Sequence, residues 1–421
     1  MMTKRKITVI FVVFMAFTSL ISNHAFSQGN IPALGQGKIH LGLLKVYTFF
    51  GERIEVDDNI FEVAGTGRGI NPDTGLPIKG KESDIINIYT PGLKLNLPLR
   101  GGGLIPGKSH EFDLDWHGDF KNYRDHANQD QQNQYFTASG IFKFNKGFEI
   151  NMVDNYTDTE SPAGSETDNR HPRKTNIGTI TVNLPDYFRK FDAEFSYTNF
   201  QQEFDERALK RANRFEHNFT LKIPYKLTPK INIFPEYQFG LVEYDSQSAQ
   251  SDPQSDSHFN KIYAGVEWYA TAKSTGIMKF GFVSQDFDDD ETTDVKSFIA
   301  KIGVRVYLTR RMQLDMNVGR EPAAAEFTAD SSAFEKNFGD FGISRQIWKD
   351  LSASFRAHYE KLVFHDSKRK DDVYELGFST KYDIKKWMFA DFRYSYRDKH
   401  SNFDAESDRI NKASVGIAFA Y

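Results

Sequence analysis

Amphipathic segments of about ten residues fill this chain from near Lys38 to its last residue, and the gaps between them alternate short and long. Strands running up and down through a bilayer have tight turns on one side and long loops on the other. A soluble sandwich has no physical reason to sort its gaps by parity. The alternation therefore predicts an all-β fold, a transmembrane antiparallel up-and-down β-barrel.

Within the segments, side chains alternate with period two, as strand residues do when one face meets lipid and the other water. Phe112, Leu114 and Trp116 alternate with Glu111, Asp113, Asp115 and His117. Phe191, Ala193, Phe195 and Tyr197 alternate with Asp192, Glu194, Ser196 and Thr198. Ile302, Val304 and Val306 alternate with Lys301, Gly303 and Arg305, and Met316 and Val318 with Asp315 and Asn317. About eighteen such segments are present, an even number as single-chain bacterial barrels require, with about sixteen as the fallback. The first is the least defined, because 38–61 could hold a bent strand or a periplasmic lead-in.

With both ends of the barrel periplasmic, the long gaps fall outside. They include Glu62–Lys81, Asp158–Arg173, Gln201–Ala212, Asp245–Asp256 and Glu321–Phe334. The short gaps are periplasmic turns, such as Asn145-Lys146-Gly147, Thr309-Arg310-Arg311 and Ile384-Lys385-Lys386. Arg100–Ser109 is a longer, Gly-rich exception.

The N-terminus reads as a secretory signal at 1–27. Lys4-Arg5-Lys6 precede an apolar run from Ile7 to Ile21, and Ala25-Phe26-Ser27 offers a small-x-small cleavage site. Residues 28–37 are then a periplasmic segment and 38–421 the barrel. The chain contains no cysteine, which excludes a disulfide framework and a cysteine-linked lipid anchor. Mean hydropathy is well below zero, which would suit a soluble protein. A barrel escapes that inference because only every second strand residue faces lipid. The 38 Phe and 19 Tyr suit an aromatic outer wall, and a net charge of −4 gives no reason to expect a nucleic-acid partner. The last segment carries Val415, Ile417, Phe419 and Tyr421 on one face, an apolar, aromatic-ended signature of outer-membrane strands. The expected partners are therefore outer-membrane lipid and the barrel-assembly machinery.

The inward set defines the candidate functional surface. By parity it comprises Asp113, Asp115, Asp192, Glu194, Glu236, Lys301, Arg305, Asp315, Arg356, Glu375 and Arg393. Acids dominate the early strands, and bases are more frequent in the later ones. Facing walls of opposite charge would set up a transverse field; alternatively, these charges only neutralise one another. A hydrocarbon channel does not suit so polar a lining. No arrangement resembles a catalytic one. His117 and His358 sit among inward polar residues, with no Ser–His–acid constellation. The run from Asp286 to Glu291 lacks the spaced ligands and glycine of a calcium loop, and Gly65, Gly67 and Gly69 have the wrong spacing for a nucleotide fingerprint. The sequence points to a channel, with no enzyme activity, cofactor or metal.

Some segments resemble a known family. They are Ile54-Glu55-Val56-Asp57-Asp58-Asn59-Ile60-Phe61, Ser83-Asp84-Ile85-Ile86, and Thr90-Pro91-Gly92-Leu93-Lys94-Leu95. Gly265-Val266-Glu267-Trp268-Tyr269-Ala270-Thr271-Ala272-Lys273, Gly281-Phe282 and Asp286-Phe287 continue the pattern. Together they resemble the putative β-barrel porin type 2 family of Gram-negative outer-membrane proteins, across about 38–421. The resemblance implies an outer-membrane pore for exopolysaccharide or capsule export, working with a periplasmic polysaccharide-export protein and without catalytic residues. Uptake of small hydrophilic solutes or oligosaccharides, and a structural barrel whose loops bind a surface partner, are the alternatives.

Overall fold

The computed structural model describes the chain from residue 39 onward, apart from 63–79, 101–108, 145–146, 163, 168–169, 189, 246–254, 272, 290–291, 326, 328–330, 366, 404–405 and 421. The expected signal (1–27), the segment 28–37, Gly65, Gly67 and Gly69, the turn at Gly101-Gly102-Gly103 and the terminal Tyr421 lie outside the described residues.

One antiparallel sheet holds every strand. It begins with β1 (Ile39–Leu41), β2 (Leu44–Asp57), β3 (Asp84–Arg100), β4 (Ser109–Tyr123), β5 (Gln131–Lys143), β6 (Glu149–Thr159) and β7 (Arg173–Phe188). Next come β8 (Phe191–Phe204), β9 (Arg214–Lys222), β10 (Tyr225–Thr228), β11 (Ile231–Tyr244), β12 (Ser257–Thr271) and β13 (Ser274–Phe287). The last are β14 (Val295–Thr309), β15 (Met312–Ala324), β16 (Ala333–Gln346), β17 (Leu351–Phe364), β18 (Lys370–Lys385), β19 (Met388–Ser401) and β20 (Asp408–Ala420).

Apart from β9 and β10, each strand pairs with its sequence neighbour, and β2 closes the ring on β20, with Phe49 opposite Ala420 and Asp57 opposite Lys412. Closure leaves no unpaired edge, which a bilayer would penalise heavily. Two of the strands are not separate staves. β1 is a short arm turned back onto β2 through Gly42, whose φ of +66° favours glycine. β9 and β10 lie end to end between β8 and β11, interrupted at Ile223-Pro224, where proline has no N–H to give the ladder. The barrel therefore has eighteen staves. The first stave is a regular strand over Leu44–Asp57, and the lead-in is the short β1.

Gap parity holds for most of the ring, the eight-residue gap between β3 and β4 being the exception expected at Arg100–Ser109. Long connections at 58–83, 124–130, 160–172, 205–213, 245–256, 288–294, 325–332, 365–369 and 402–407 share one end. Connections at 144–148, 189–190, 229–230, 272–273, 310–311, 347–350 and 386–387 share the other. Several strands are longer than their apolar segments, up to the 17 residues of β3. The hairpin ladders continue past the lipid-facing belt, pairing residues as polar as Arg214 and Tyr244. No helix among the described residues is long and apolar enough to cross a membrane.

The lipid face is a wall of exposed apolar side chains, among them Phe50, Phe136, Phe195, Tyr237, Phe282 and Phe378. Val415 and Phe419 belong to it, with Ile417 on the same face. Trp348 and Trp387 stand exposed at the short-turn end, as interfacial aromatics do. Buried apolar clusters lie mostly toward the long-loop end, beneath folded loops. One joins Ile60, Ile86, Ile88 and Tyr123, and another joins Ala325, Phe334, Leu362 and Phe364.

Candidate functional site: the lumen and the loop that crosses it

The closed sheet turns Asp113 and Asp115 (β4), Asp192 and Glu194 (β8), Glu236 (β11), Lys301 and Arg305 (β14) away from the exposed aromatics. Asp315 (β15), Arg356 (β17), Glu375 (β18) and Arg393 (β19) lie on the same inner face. Of these eleven, Arg305 and Asp315 are joined as an ion pair, Nε to Oδ1 at 2.5 Å across neighbouring strands. Others meet residues that the parity list omits. Glu236 takes Lys279 at 2.7 Å, Asp192 takes Lys226 at 2.9 Å, and Glu375 lies 3.5 Å from Arg397. Arg393 donates from Nε to Asp391 at 2.8 Å, and Asp113 accepts from Asn96 Nδ2 at 3.0 Å. Asp115 and His117 lie 4.0 Å apart.

Much of the charge is locally paired. Yet the acidic stave β4, with Glu111, Asp113, Asp115 and Asp119, stands nine staves from β14, with Lys301 and Arg305. In a ring of eighteen, nine staves is directly across the lumen.

Inward aromatic rings lie against glycines rather than standing in the lumen. A Cβ at Gly92 would fall 1.8 Å from the Phe49 ring, at Gly240 2.1 Å from Phe259, and at Gly265 and Gly319 2.4 Å from Phe234 and Phe338. Glycine on one strand lets the neighbouring ring lie down on the backbone. Lysines then cover several of these rings: Lys222 over Phe234 and Lys261 over Phe259, each at 4.5 Å.

The connection 160–172, between β6 and β7, does not stay on the rim. Arg369 Nη2 donates to the Glu166 carbonyl at 2.6 Å, and Lys399 Nζ reaches the same oxygen at 3.3 Å. Ser165 Oγ donates to Glu360 Oε2 at 3.1 Å, and the Phe327 amide donates to Glu166 Oε1 at 2.9 Å. β6 and β7 are the fifth and sixth staves, whereas Glu360 and Lys399 belong to the fifteenth and seventeenth. The loop therefore spans the lumen from wall to wall.

Its landing site is a buried network. Arg369 bonds Asp371 at 2.7 Å and Glu406 at 3.0 Å, while Lys399 lies 3.9 Å from each of those carboxylates. Burial works against the charge on Arg369, but the hydrogen bond and charge of Asp371, with Glu406 and Glu166, outweigh it and hold the guanidinium above its ordinary range. At the root of the loop, Arg170 donates to the Tyr123 hydroxyl at 2.9 Å and to the Ile60 carbonyl. Burial opposes its charge too, and the nearby Tyr123, Glu62 and Asp57 more than offset that. The His171 ring stacks on Phe327 from the connection 325–332, with centroids 5.6 Å apart. Two loops from different sides of the barrel thus meet inside it.

Neither parity nor gap length shows whether a loop enters the lumen, and the inward set contains none of Glu166, Arg170, Phe327, Arg369 or Lys399. Lys399 was within reach of the alternation, since it continues the inner parity of Arg393 and Arg397. The others sit on loops, where period two gives no direction. No group of three or more His, Cys, Asp and Glu that could hold a metal occurs among the described residues.

Several solved structures are similar to the chain. OpdK, an outer membrane protein from Pseudomonas aeruginosa, is similar at 8% identity, covering 90% of this chain and 98% of its own, with a TM-score of 0.44. OccAB3 from Acinetobacter baumannii is similar at 10% identity over 90% of this chain and 99% of its own, with a TM-score of 0.45. A bacterial polysaccharide outer membrane secretin is similar at 11% identity over 88% and 98%, with a TM-score of 0.37. No curated protein matches the sequence. The family model described as putative beta-barrel porin 2 matches residues 108–421, from the start of β4 onward. That span leaves out the Ile54–Leu95 motifs and takes in seventeen of the twenty strands. The chain belongs to the putative beta-barrel porin 2 family and is a porin-type outer-membrane β-barrel.

Proposed function

We propose that the protein is a passive, non-catalytic conduit through which a polysaccharide leaves the periplasm across the outer membrane. The observation that carries this reading is the character of the inner face. Carboxylates, amides, lysines and arginines line it, while its aromatic rings lie on wall glycines and leave the passage to polar groups. Such a surface exchanges hydrogen bonds with a hydrated sugar chain at each step and holds it nowhere strongly. A periplasmic polysaccharide-export protein would deliver the chain to the short-turn end, and polymerisation and energy would come from elsewhere. Deleting the gene in a polymer-secreting host should trap polymer in the periplasm, and restoring it should return polymer to the medium. Normal secretion after deletion would refute the reading.

The crossing loop itself favours a second reading, uptake of small hydrophilic solutes, because it narrows the passage. Slower growth on one solute with polymer secretion intact would select that reading. Absence of any conductance in planar bilayers would instead indicate a structural barrel.

A further inference from the structure

The lipid face dips where prolines stand on two neighbouring staves. The carbonyl of Pro224, between β9 and β10, accepts from the Asp192 amide at 2.9 Å, and that of Pro235 in β11 accepts from the Ile223 amide at 3.1 Å. Neither proline has an N–H to return the second bond of its pair, so the ladder lacks two bonds side by side. The outward side chains are also small here. Pro235 pairs with Ala264, between one row of Tyr225, Ile233 and Val266 toward the short turns and another of Leu221, Tyr237 and Ile262 beyond. An apolar groove of about 520 Å³ results, bounded by Phe191, Ile223 and Tyr225 as well as Ile233, Pro235 and Ala264. Its volume falls in the roughly 300–1,000 Å³ range of ligand sites.

The short-turn mouth of this groove is cationic. Lys190, which precedes β8, holds Nζ 5.9 Å over the Tyr225 ring, and Lys230 stands exposed in the turn that joins β10 to β11. Among the described residues neither lysine enters an ion pair, whereas Lys226 is held by Asp192 at 2.9 Å. Trp268, two residues on from Val266, lies against Gly276 at the same end, where interfacial aromatics meet lipid headgroups. The rim repeats the sign of the mouth. Among the described residues, the short connections carry seven lysines and arginines against one acid, Asp350.

We propose that the groove seats one acyl chain of an anionic phospholipid from the leaflet at the short-turn end, with the lipid phosphate on Lys190 and Lys230. The bilayer itself brings this partner to the wall, and the charge of the mouth selects among its lipids. A net-anionic headgroup pairs with both ammonium groups, whereas a zwitterionic one brings its own cation against them. The chain fills the dip that Pro235 and Ala264 leave between two rows of larger side chains. The proposal is independent of what the lumen conducts.

The test is native mass spectrometry of the full chain, released from detergent that holds equimolar phosphatidylglycerol and phosphatidylcholine with identical acyl chains. Only protein whose migration is heat-modifiable, and which is therefore folded, is scored. The native chain should retain one phosphatidylglycerol about tenfold more often than phosphatidylcholine, the ratio that one good charge-assisted contact supplies. The double variant Lys190→Gln, Lys230→Gln changes only exposed turn residues and should bring the two lipids to equal retention. Ala264→Phe fills the groove without altering charge and should lower retention of both. Val318→Phe, at an exposed position on β15, should lower neither. Equal retention of the two lipids by the native chain, or no effect of the lysine pair, would overturn headgroup recognition. Full retention by A264F would overturn the groove as the seat of the acyl chain. A dimer or larger assembly of the native chain that A264F dissolves would assign the groove to a second copy and overturn the lipid.

Discussion

Arg369 and Glu166 meet across the width of the barrel, the guanidinium Nη2 donating to the main-chain carbonyl at 2.6 Å over a sequence separation of 203 residues. Because the acceptor is a backbone oxygen, this contact specifies where the loop goes more than which side chain its tip carries. Asp371 holds the arginine side chain from below, and both side chains are almost entirely buried. The loop tip is therefore docked on a rigid part of the opposite wall.

Arg369→Ala should open the passage. Removing one partner of a buried ion pair costs about 3 kcal/mol and leaves Asp371 facing only the more distant Lys399. The loop tip would lose its strongest anchor while the β-ladder stays intact. Single-channel recording should show a severalfold larger and noisier conductance. An unchanged conductance would mean that the loop does not limit passage.

The contact between the connections 58–83 and 124–130 should weaken with rising pH. His126 places Nδ1 2.8 Å from Asp84 and Nε2 2.9 Å from Glu82, and its ring meets Phe61 edge-on at 5.5 Å. Partial burial works against a charged imidazole, but the hydrogen bonds and charges of the two carboxylates prevail and raise its pKa above the ordinary 6.5. A raised pKa means that the stabilisation is complete below about 6.5 and is lost as pH climbs through the folded-state value. Hydrogen exchange at the amides of Asp125 and His126, which both bond Asp84, should lose protection across that window. His126→Gln should remove the pH dependence.

Gly92→Ala should be far more damaging than Gly339→Ala. A methyl at Gly92 would collide with the Phe49 ring, whereas nothing lies within 4 Å of one at Gly339. Overpacking of this kind costs about 1–3 kcal/mol, and lifting Phe49 off the wall would put a ring in the lumen. Heat-modifiable migration should show a lower unfolding temperature for G92A, together with reduced conductance. The control should match the native protein in both.

Phe282→Lys should impair assembly without touching the lumen. Phe282 is 69% exposed on the lipid face, and a lysine there costs up to about 2–4 kcal/mol, less as its depth nears the interface. The folded, heat-modifiable fraction should fall in membranes. In planar bilayers, the channels that do fold should conduct normally.

The architecture was legible because its physics is local. Alternation with period two assigned Asp113, Lys301 and Arg393 to one face and Phe112, Ile302 and Phe392 to the other, and register cannot slip by one residue without exchanging those faces. Gap lengths gave the two ends, and with an even count they gave closure. The site was legible only in part. Parity found Glu236 and Lys301 but not Lys279, whose own face also carries the apolar Ile277 and Val283. It also could not show that Lys279 and Lys301 are direct neighbours, which depends on how two hairpins align.

By itself, then, the sequence determined an eighteen-stave barrel with a polar inner face and an aromatic outer one, since bilayer and water sort every second side chain. Only the tertiary structure decided what happens inside that barrel. The turn of 160–172 into the lumen depends on Glu166 finding Arg369 and Lys399, and Phe327 meeting His171, across a closed ring. Those partners are far apart in the chain, and no periodicity links residues that first meet when the last strand closes on the first.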